Sequence, residues 1–251
     1  MLALVTGASS GIGADIAREL SKRGYDLILT ARREPRLVAL QKELATKTEL
    51  FPADLTKESE CIRLCEYLKE KDIDIAVNNA GFGLYGAFVQ TDAAREVEMI
   101  HLNIRAVHML TKFFVKQFSE KNRGTLLNVA SSAAFFPGPY MAAYYASKAY
   151  VLRLSQAINE ELSNAKKDVR VCVLCPGPVE TEFNGIANVQ FGLKGMSSVR
   201  VANIAVEQML KGKRVIVPGF FMKCAHICSK CLPDTILVKF AGHFQKKKLR
   251  G

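Results

Sequence analysis

An apolar run, Leu2-Ala-Leu-Val-Thr6, breaks at once into Gly7-Ala-Ser-Ser-Gly11-Ile-Gly13 and then into a helical pattern through Ile16, Ala17 and Leu20, up to Gly24. A short continuous apolar run suits a strand buried on both faces. Glycines let the chain turn tightly and bring backbone against a ligand. The helix start that follows offers free N–H groups and the positive end of a dipole. A strand, a glycine turn and a helix therefore make a cradle for a phosphate. The spacing is G-x-x-x-G-x-G rather than the general dinucleotide pattern G-x-G-x-x-G. Taken alone it is a weak signal that also reads as a simple turn, and its place directly after a strand favours the phosphate.

Behind this turn the chain alternates. Further strands are expected at 26–31, 49–52, 73–78, 124–129, 169–175 and 214–218, with helices at 34–48, from 57, at 91–119, 141–163 and 199–211. Residues 182–198 read as a flexible loop. Such alternation demands a parallel sheet with helices on both faces. The expected fold is one α/β domain, a Rossmann-like, doubly wound, seven-stranded parallel sheet over 1–218, with a basic helical C-terminal extension over 219–251. Ligands bind at the carboxyl ends of such strands, and the unusual polar residues fall there. Arg32 and Arg33 follow the second strand, where an acid would meet the ribose hydroxyl of NAD and an arginine the 2′-phosphate of NADP. The pair reads either as an NADP(H) site, with Arg32 ahead of Arg33, or as the solvated start of the next helix. Asp54 either accepts from an adenine amino group or caps the helix that starts near Lys57. Asn103 is a polar residue inside an apolar helical pattern, and most such asparagines are exposed or bond locally.

Tyr144 and Lys148 stand four apart in an expected helix, so they share a face. A fixed ammonium favours the phenolate and is expected to lower the tyrosine pKa from about 10 toward neutrality, where it can give or take a proton. Ser131 lies thirteen residues upstream, near enough for a loop to bring its hydroxyl back to the phenol.

Together these pieces resemble the short-chain dehydrogenase/reductase family, in a branch of this length. The resemblance rests on Thr6–Gly13, Asn78–Gly81, Asn103, Asn128–Ser131, Tyr144–Lys148 and Pro176–Thr181, which keep the family's order and spacing over 2–218. It implies an oxidoreductase that moves a hydride between NADP(H), less readily NAD(H), and a carbonyl or secondary alcohol. By the same resemblance Tyr144 is the proton donor, Lys148 depresses its pKa and bonds the nicotinamide ribose, and Ser131 orients the carbonyl. Asn103 holds a water that links Lys148 to solvent. The implied cofactor contacts are Gly7, Ser9, Ser10, Gly11, Ile12 and Gly13 at the pyrophosphate, and Arg32, Arg33, Asp54 and Leu55 at the adenosine. Asn79, Ala80 and Gly81 support that half, and Tyr144, Lys148, Pro176, Gly177, Val179 and Thr181 serve the nicotinamide, with Thr181 bonding its carboxamide. The family's four- and thirteen-residue steps select Tyr144 over Tyr145 and Ser131 over Ser132. In one departure, many NADP-preferring members carry a basic residue where this chain has Ser10, which leaves the 2′-phosphate to the two arginines. The alternative is a cofactor-binding, redox-sensing protein with little turnover, against which the complete set of four stands. A homodimer, or a homotetramer, is implied through the long helices.

The net charge of +11 is unevenly placed. From 219 to 251 seven lysines and arginines stand against one acid, Asp234, so the body is only mildly basic and nothing points to nucleic acid. Seven cysteines lack the density of a secreted scaffold and no signal peptide precedes the first strand, so reduced thiols and a cytoplasmic setting are expected. No apolar run reaches the roughly 18 residues of a spanning helix. The residues expected around the substrate (Gly83, Leu84, Tyr85, Ala133, Phe135, Phe136, Pro137, Tyr140, Phe183 and Phe191) are mostly apolar, with Lys194 the nearest cation, and favour an apolar substrate. The extension carries two apolar stripes, Phe220–Leu232 and Ile236–Phe244, split by Pro233 and ending in Lys246-Lys-Lys-Leu-Arg250. Such faces suit peripheral contact with an anionic membrane, or packing on the body or a second subunit. Cys224, Cys228, Cys231 and His226 lack the second pair of a metal site, and none is expected.

Overall fold

A computed structural model describes residues 1–186 and 195–247. Its strands are β1 (Leu2–Thr6), β2 (Asp26–Thr30), β3 (Thr48–Leu50), β4 (Ile75–Asn78), β5 (Gly124–Val129), β6 (Val169–Leu174), β7 (Val179–Glu180), β8 (Met196–Ser197) and β9 (Val215–Ile216). Seven of them form one parallel sheet in the order β3-β2-β1-β4-β5-β6-β9, and β7 and β8 pair separately. Ala3, Leu4 and Val5 of β1 are all inaccessible to water. That explains why the strand is apolar throughout instead of alternating: helices cover both faces.

The helices are α1 (Gly11–Lys22), α2 (Glu34–Glu43), α3 (Glu58–Leu68), α4 (Ala93–Ile100), α5 (Val107–Glu120), α6 (Ala142–Asn164), α7 (Phe183–Ile186), α8 (Ser198–Leu210), α9 (Phe220–Cys231) and α10 (Asp234–Lys247). Ala3, Val5, Leu27 and Leu29 face α1, α2 and α8 through Ile16, Leu20, Leu37 and Met209. The alternate residues Leu4, Ile28 and Leu126 face α3 and α5 through Leu64, Leu68, Phe114 and Phe118. Full burial of a ring such as Phe114 contributes roughly 2–3 kcal/mol. The strand order reverses between β1 and β4, which opens a crevice at their carboxyl ends.

Several boundaries differ from expectation. Helix α2 stops at Glu43, and Gln41 Nε2 donates to Thr48 O at 2.6 Å across the turn into β3. The expected helix over 91–119 is interrupted by a π turn, His101–Ala106, between α4 and α5. A π turn inserts one residue without breaking the apolar stripe, so hydrophobic periodicity does not reveal it. The expected loop after Glu182 contains α7 and ends in β8. Phe191, Lys194, Lys248 and Arg250 lie outside the described residues.

Candidate active site

Thr6 closes β1 with its hydroxyl donating to Val77 O at 3.2 Å. The same oxygen accepts from the backbone N–H groups of Asn79 at 3.0 Å and Ala80 at 3.1 Å. Asn79 Nδ2 returns to Thr6 O at 3.0 Å and Gly7 O at 3.2 Å. This tie between the ends of β1 and β4 dictates the glycines. A Cβ on Gly7, whose φ is +66°, would stand 2.8 Å from Ala80 Cα, and one on Gly13 would stand 2.5 Å from Gly7 O. The turn delivers the chain to the N-terminus of α1, where Ser10 makes no side-chain cap. The first N–H groups of α1 are thus left to an anion, as a pyrophosphate requires. The residues present fit a dinucleotide there.

Arg33 leans on this turn. Its Nη2 donates to Ser10 Oγ at 2.9 Å and Ser9 Oγ at 3.1 Å, and its Nη1 to Glu182 at 2.9 Å. Arg32 is exposed along the same cavity wall, and Arg33 is the one bonded to the serines of the turn. Asp54 Oδ1 accepts from the Thr56 N–H at 3.2 Å and its hydroxyl at 2.8 Å. It shapes the turn before α3, whose N-cap is Lys57, so the helix-cap reading is corrected, while Asp54 and Leu55 still line the cavity.

Tyr144 and Lys148 lie on the buried face of α6. Lys148 Nζ donates to Val129 O, at the end of β5, at 2.9 Å and stands 5.9 Å from the centre of the Tyr144 ring. Ser131 opens a short 3-10 turn, Ser132–Phe135, accepting from the Ala133 N–H at 3.1 Å, and its side chain is the polar group that acts on the phenol. The expected lowering of the tyrosine by the lysine is not what the geometry produces. Burial pushes the Tyr144 phenol above its ordinary range, and only the nearby Ser131 hydroxyl opposes this. Burial also pushes the Lys148 ammonium down, to about 8. Both groups are driven toward neutrality by loss of water. The phenol therefore waits protonated, in the form a proton donor needs.

Asn103 sits inside the π turn and is inaccessible to water. Its Nδ2 donates to Phe82 O at 2.9 Å and Ser147 Oγ at 3.1 Å, and its Oδ1 accepts from the Phe82 N–H at 3.1 Å. Both side-chain donors are thereby committed to distant parts of the chain, so this asparagine is neither exposed nor bonded within its own helix. The side chain is nonetheless beside the centre: a Cβ on Gly81 would fall 2.9 Å from Asn103 Oδ1 and 3.3 Å from Lys148 Nζ. Behind it Asn128 Oδ1 accepts from Asn78 at 2.9 Å and Thr111 at 3.2 Å, and its Nδ2 donates to Ser155 at 3.0 Å. This network locks the end of β5 onto α5 and α6.

The phosphate turn, Arg33, Ser131, Tyr144 and Lys148 border one cavity of about 1220 Å³, and Asn103 stands behind its wall. Of the cofactor residues named from sequence, Gly7, Ser9, Ser10, Gly11, Ile12, Arg32, Arg33, Asp54, Leu55, Asn79, Ala80, Gly81, Tyr144, Lys148, Pro176, Gly177, Val179 and Thr181 line it. Gly13 supports the turn from behind. Of the residues expected around the substrate, Ala133, Phe136 and Phe183 line the cavity. Phe135 instead packs its ring on His226 at 4.2 Å, and Tyr85 donates its hydroxyl to Gln245 O at 2.7 Å. Sequence reasoning missed the roof. Met222, Ala225 and Cys228 of α9, and Ile236, Leu237, Phe240, Ala241 and Gln245 of α10, complete the apolar wall. Gln245 Nε2 donates to Tyr145 Oη at 2.7 Å and pins α10 onto α6. The available signal was the inward set Leu237, Ala241 and Gln245, one turn apart on α10.

A cleft that offers backbone N–H groups to a pyrophosphate at one end and a buried phenol at the other is what a nucleotide-binding oxidoreductase needs. The family model described as short chain dehydrogenase matches residues 1–190, and the chain belongs to that family. An uncharacterized oxidoreductase of Staphylococcus saprophyticus is 36% identical over 190 residues, covering 73% of this chain and 80% of its own. The human 17-beta-hydroxysteroid dehydrogenase type 3 is 35% identical over 198 residues, covering 74% of this chain and 61% of its own, so the match spans less than two thirds of that enzyme. A solved short-chain dehydrogenase from Sphingobium yanoikuyae, in complex with NADPH, superposes with a TM-score of 0.83 at 32% identity, covering 92% of this chain and 93% of its own.

Proposed function

We propose that the protein is an NADP(H)-dependent reductase or dehydrogenase acting on the carbonyl or secondary alcohol of a bulky apolar compound. The observation that carries this reading is the position of the buried Tyr144 phenol, in one cavity with Ser131, between the phosphate turn and an apolar wall. The bound nicotinamide supplies or accepts the hydride; the chain supplies position and proton. Gly7–Gly13, Asn79, Gly81 and Thr181 would hold the dinucleotide, and Arg33 its 2′-phosphate. Ser131 orients the substrate oxygen and Tyr144 delivers the proton to it in the reducing direction. Lys148, held by Val129 O, would bond the ribose.

A large cavity with apolar walls from α6, α9 and α10 suits a rigid polycyclic or long-chain ketone. The relatives agree in kind, one named for hydroxysteroids and one solved with NADPH. Assembly as a homodimer, a cytoplasmic setting, a single catalytic unit over 1–218 and peripheral membrane contact through 219–251 belong to the same proposal. The test is a panel of steroid, long-chain and small ketones followed by NADPH absorbance, with Tyr144→Phe alongside. The expected outcome is turnover of the bulky ketones and a loss of about 10²–10⁴-fold in Tyr144→Phe, the usual worth of a positioned acid. Full turnover in Tyr144→Phe, or nucleotide binding without turnover across the panel, defeats the reading.

A further inference from the structure

Arg33 and Arg36 stand at the start of α2, on one side of the cleft, and Glu182 follows Thr181 on the other. Glu182 spans the gap. One carboxylate oxygen takes Arg33 Nη1 at 2.9 Å and the other takes Arg36 Nη1. Among the described residues neither arginine has another acidic partner. The two cations hold the Glu182 carboxyl far below its usual range, at about 2. Around Arg33 the acceptors are then three oxygens, Ser9 Oγ, Ser10 Oγ and Glu182 Oε2. A phosphate monoester presents the same thing, three acceptor oxygens with negative charge, to which a guanidinium fork is suited.

We propose that Arg33 and Arg36 together form the 2′-phosphate subsite, and that Glu182 fills it as a competing carboxylate until a phosphorylated cofactor displaces it. This rests on the dinucleotide site of the proposed function and deepens it in two ways. It adds Arg36 to the site, and it makes Glu182 a specificity-determining residue that opposes the phosphate it stands in for. The displacement is felt at the reacting end of the cavity. Phe183, the next residue, lies with its ring 5.5 Å from that of Tyr144. A segment released from the arginines is therefore the segment that covers the phenol, whereas NADH, with no 2′-phosphate, leaves the clasp closed.

The test measures dissociation constants of NADPH and NADH by nucleotide fluorescence at low ionic strength, on the full chain. Wild type, Glu182→Gln and Arg36→Ala are compared. Each contact is a half-exposed ion pair, so the expected changes are modest. Glu182→Gln tightens NADPH roughly threefold to fivefold, Arg36→Ala weakens it by roughly the same factor, and the NADH constants move less than about twofold in both. NADPH weakened in Glu182→Gln shows a carboxylate that positions Arg33 and overturns the proposal. So does an Arg36→Ala that moves both nucleotides together or neither. Either failure leaves the dinucleotide site standing, whereas a wild type that binds neither nucleotide removes the proposed function itself.

Discussion

Lys148 is the costliest side chain at the site. It is buried beside Val129 O with its pKa driven down to about 8, against about 10.4 in an unfolded chain. The sign of the linkage follows. Below about pH 8 both states hold the proton and the desolvation cost is felt in full. Between about 8 and 10 the unfolded chain holds more protons, so this group makes stability rise with pH. Lys148→Met removes the charge at similar length. We expect it to raise the melting temperature at pH 7 by about 2–4 °C, one kcal/mol or so on a chain of this size. The gain shrinks toward pH 10, and turnover is lost. Calorimetry at the two pH values checks both signs; a variant less stable at pH 7 would show that the bond to Val129 outweighs desolvation. The pairing of Tyr144 with Lys148 was legible from a four-residue step, but the direction of their shifts was not. That direction depends on how much water burial removes, and spacing carries no record of burial. The same holds for Arg32 and Arg33: both border the cavity, and spacing could not say which of them bonds the serines of the turn.

Among the elements, α10 supplies Ile236, Leu237, Phe240, Ala241 and Gln245 to the cavity wall. It packs Leu237, Ala241 and Gln245 inward and is tied to the body by bonds from Gln245 to Tyr145 and from Tyr85 to Gln245 O. Gln245→Leu removes the first bond and leaves the Tyr145 hydroxyl half-satisfied in a buried setting. A cost of roughly 1 kcal/mol is expected, seen as a fall of about 2–4 °C in melting temperature. The kcat/KM for bulky ketones should fall more than that for small ones, because only bulky substrates reach the roof. An equal fall for both would detach α10 from substrate selection. Helix α1 carries a second prediction. Gly13→Ala pushes a methyl against Gly7 O, so nucleotide binding and stability should both drop, as paired titration and melting would show. The parallel sheet and the phosphate turn could be read from sequence because each is local: buried runs, glycines, a helix start. The roof could not, since an amphipathic stripe shows that a face is covered but does not name what covers it. The π turn at Asn103 escaped for the reason given above, that the apolar stripe runs through it undisturbed.

At the scale of the molecule, the two C-terminal helices have two working faces. The inner one roofs the cavity. The outer one leaves Phe220, Phe221, Ile227, Leu232 and Ile236 exposed, with Lys223, Lys230 and Lys239 exposed beside them and Asp234 the one acid of the stretch. No helix among the described residues is long and apolar enough to cross a membrane, and the proposed peripheral contact would use this exposed face. Leu232 and Ile236 belong to both surfaces, exposed outside and lining the cavity within, which places the rim of the cavity on the same apolar face. Each lysine near an anionic surface contributes about 1 kcal/mol, an attraction that fades within a Debye length of about 10 Å at 0.1 M salt. The protein should therefore co-sediment with phosphatidylserine-containing vesicles at low salt, and less at high salt. Both Phe221→Ser and Lys230→Glu should weaken this, because both side chains are exposed and neither lines the cavity. Reduction of a water-soluble ketone should be unaffected by either change, while a ketone dissolved in the vesicles should be turned over more slowly by both variants. Vesicle binding that ignores salt and both substitutions would place the contact elsewhere, and release of the outer face by dilution of a self-associated species would assign it to a second copy of the chain instead.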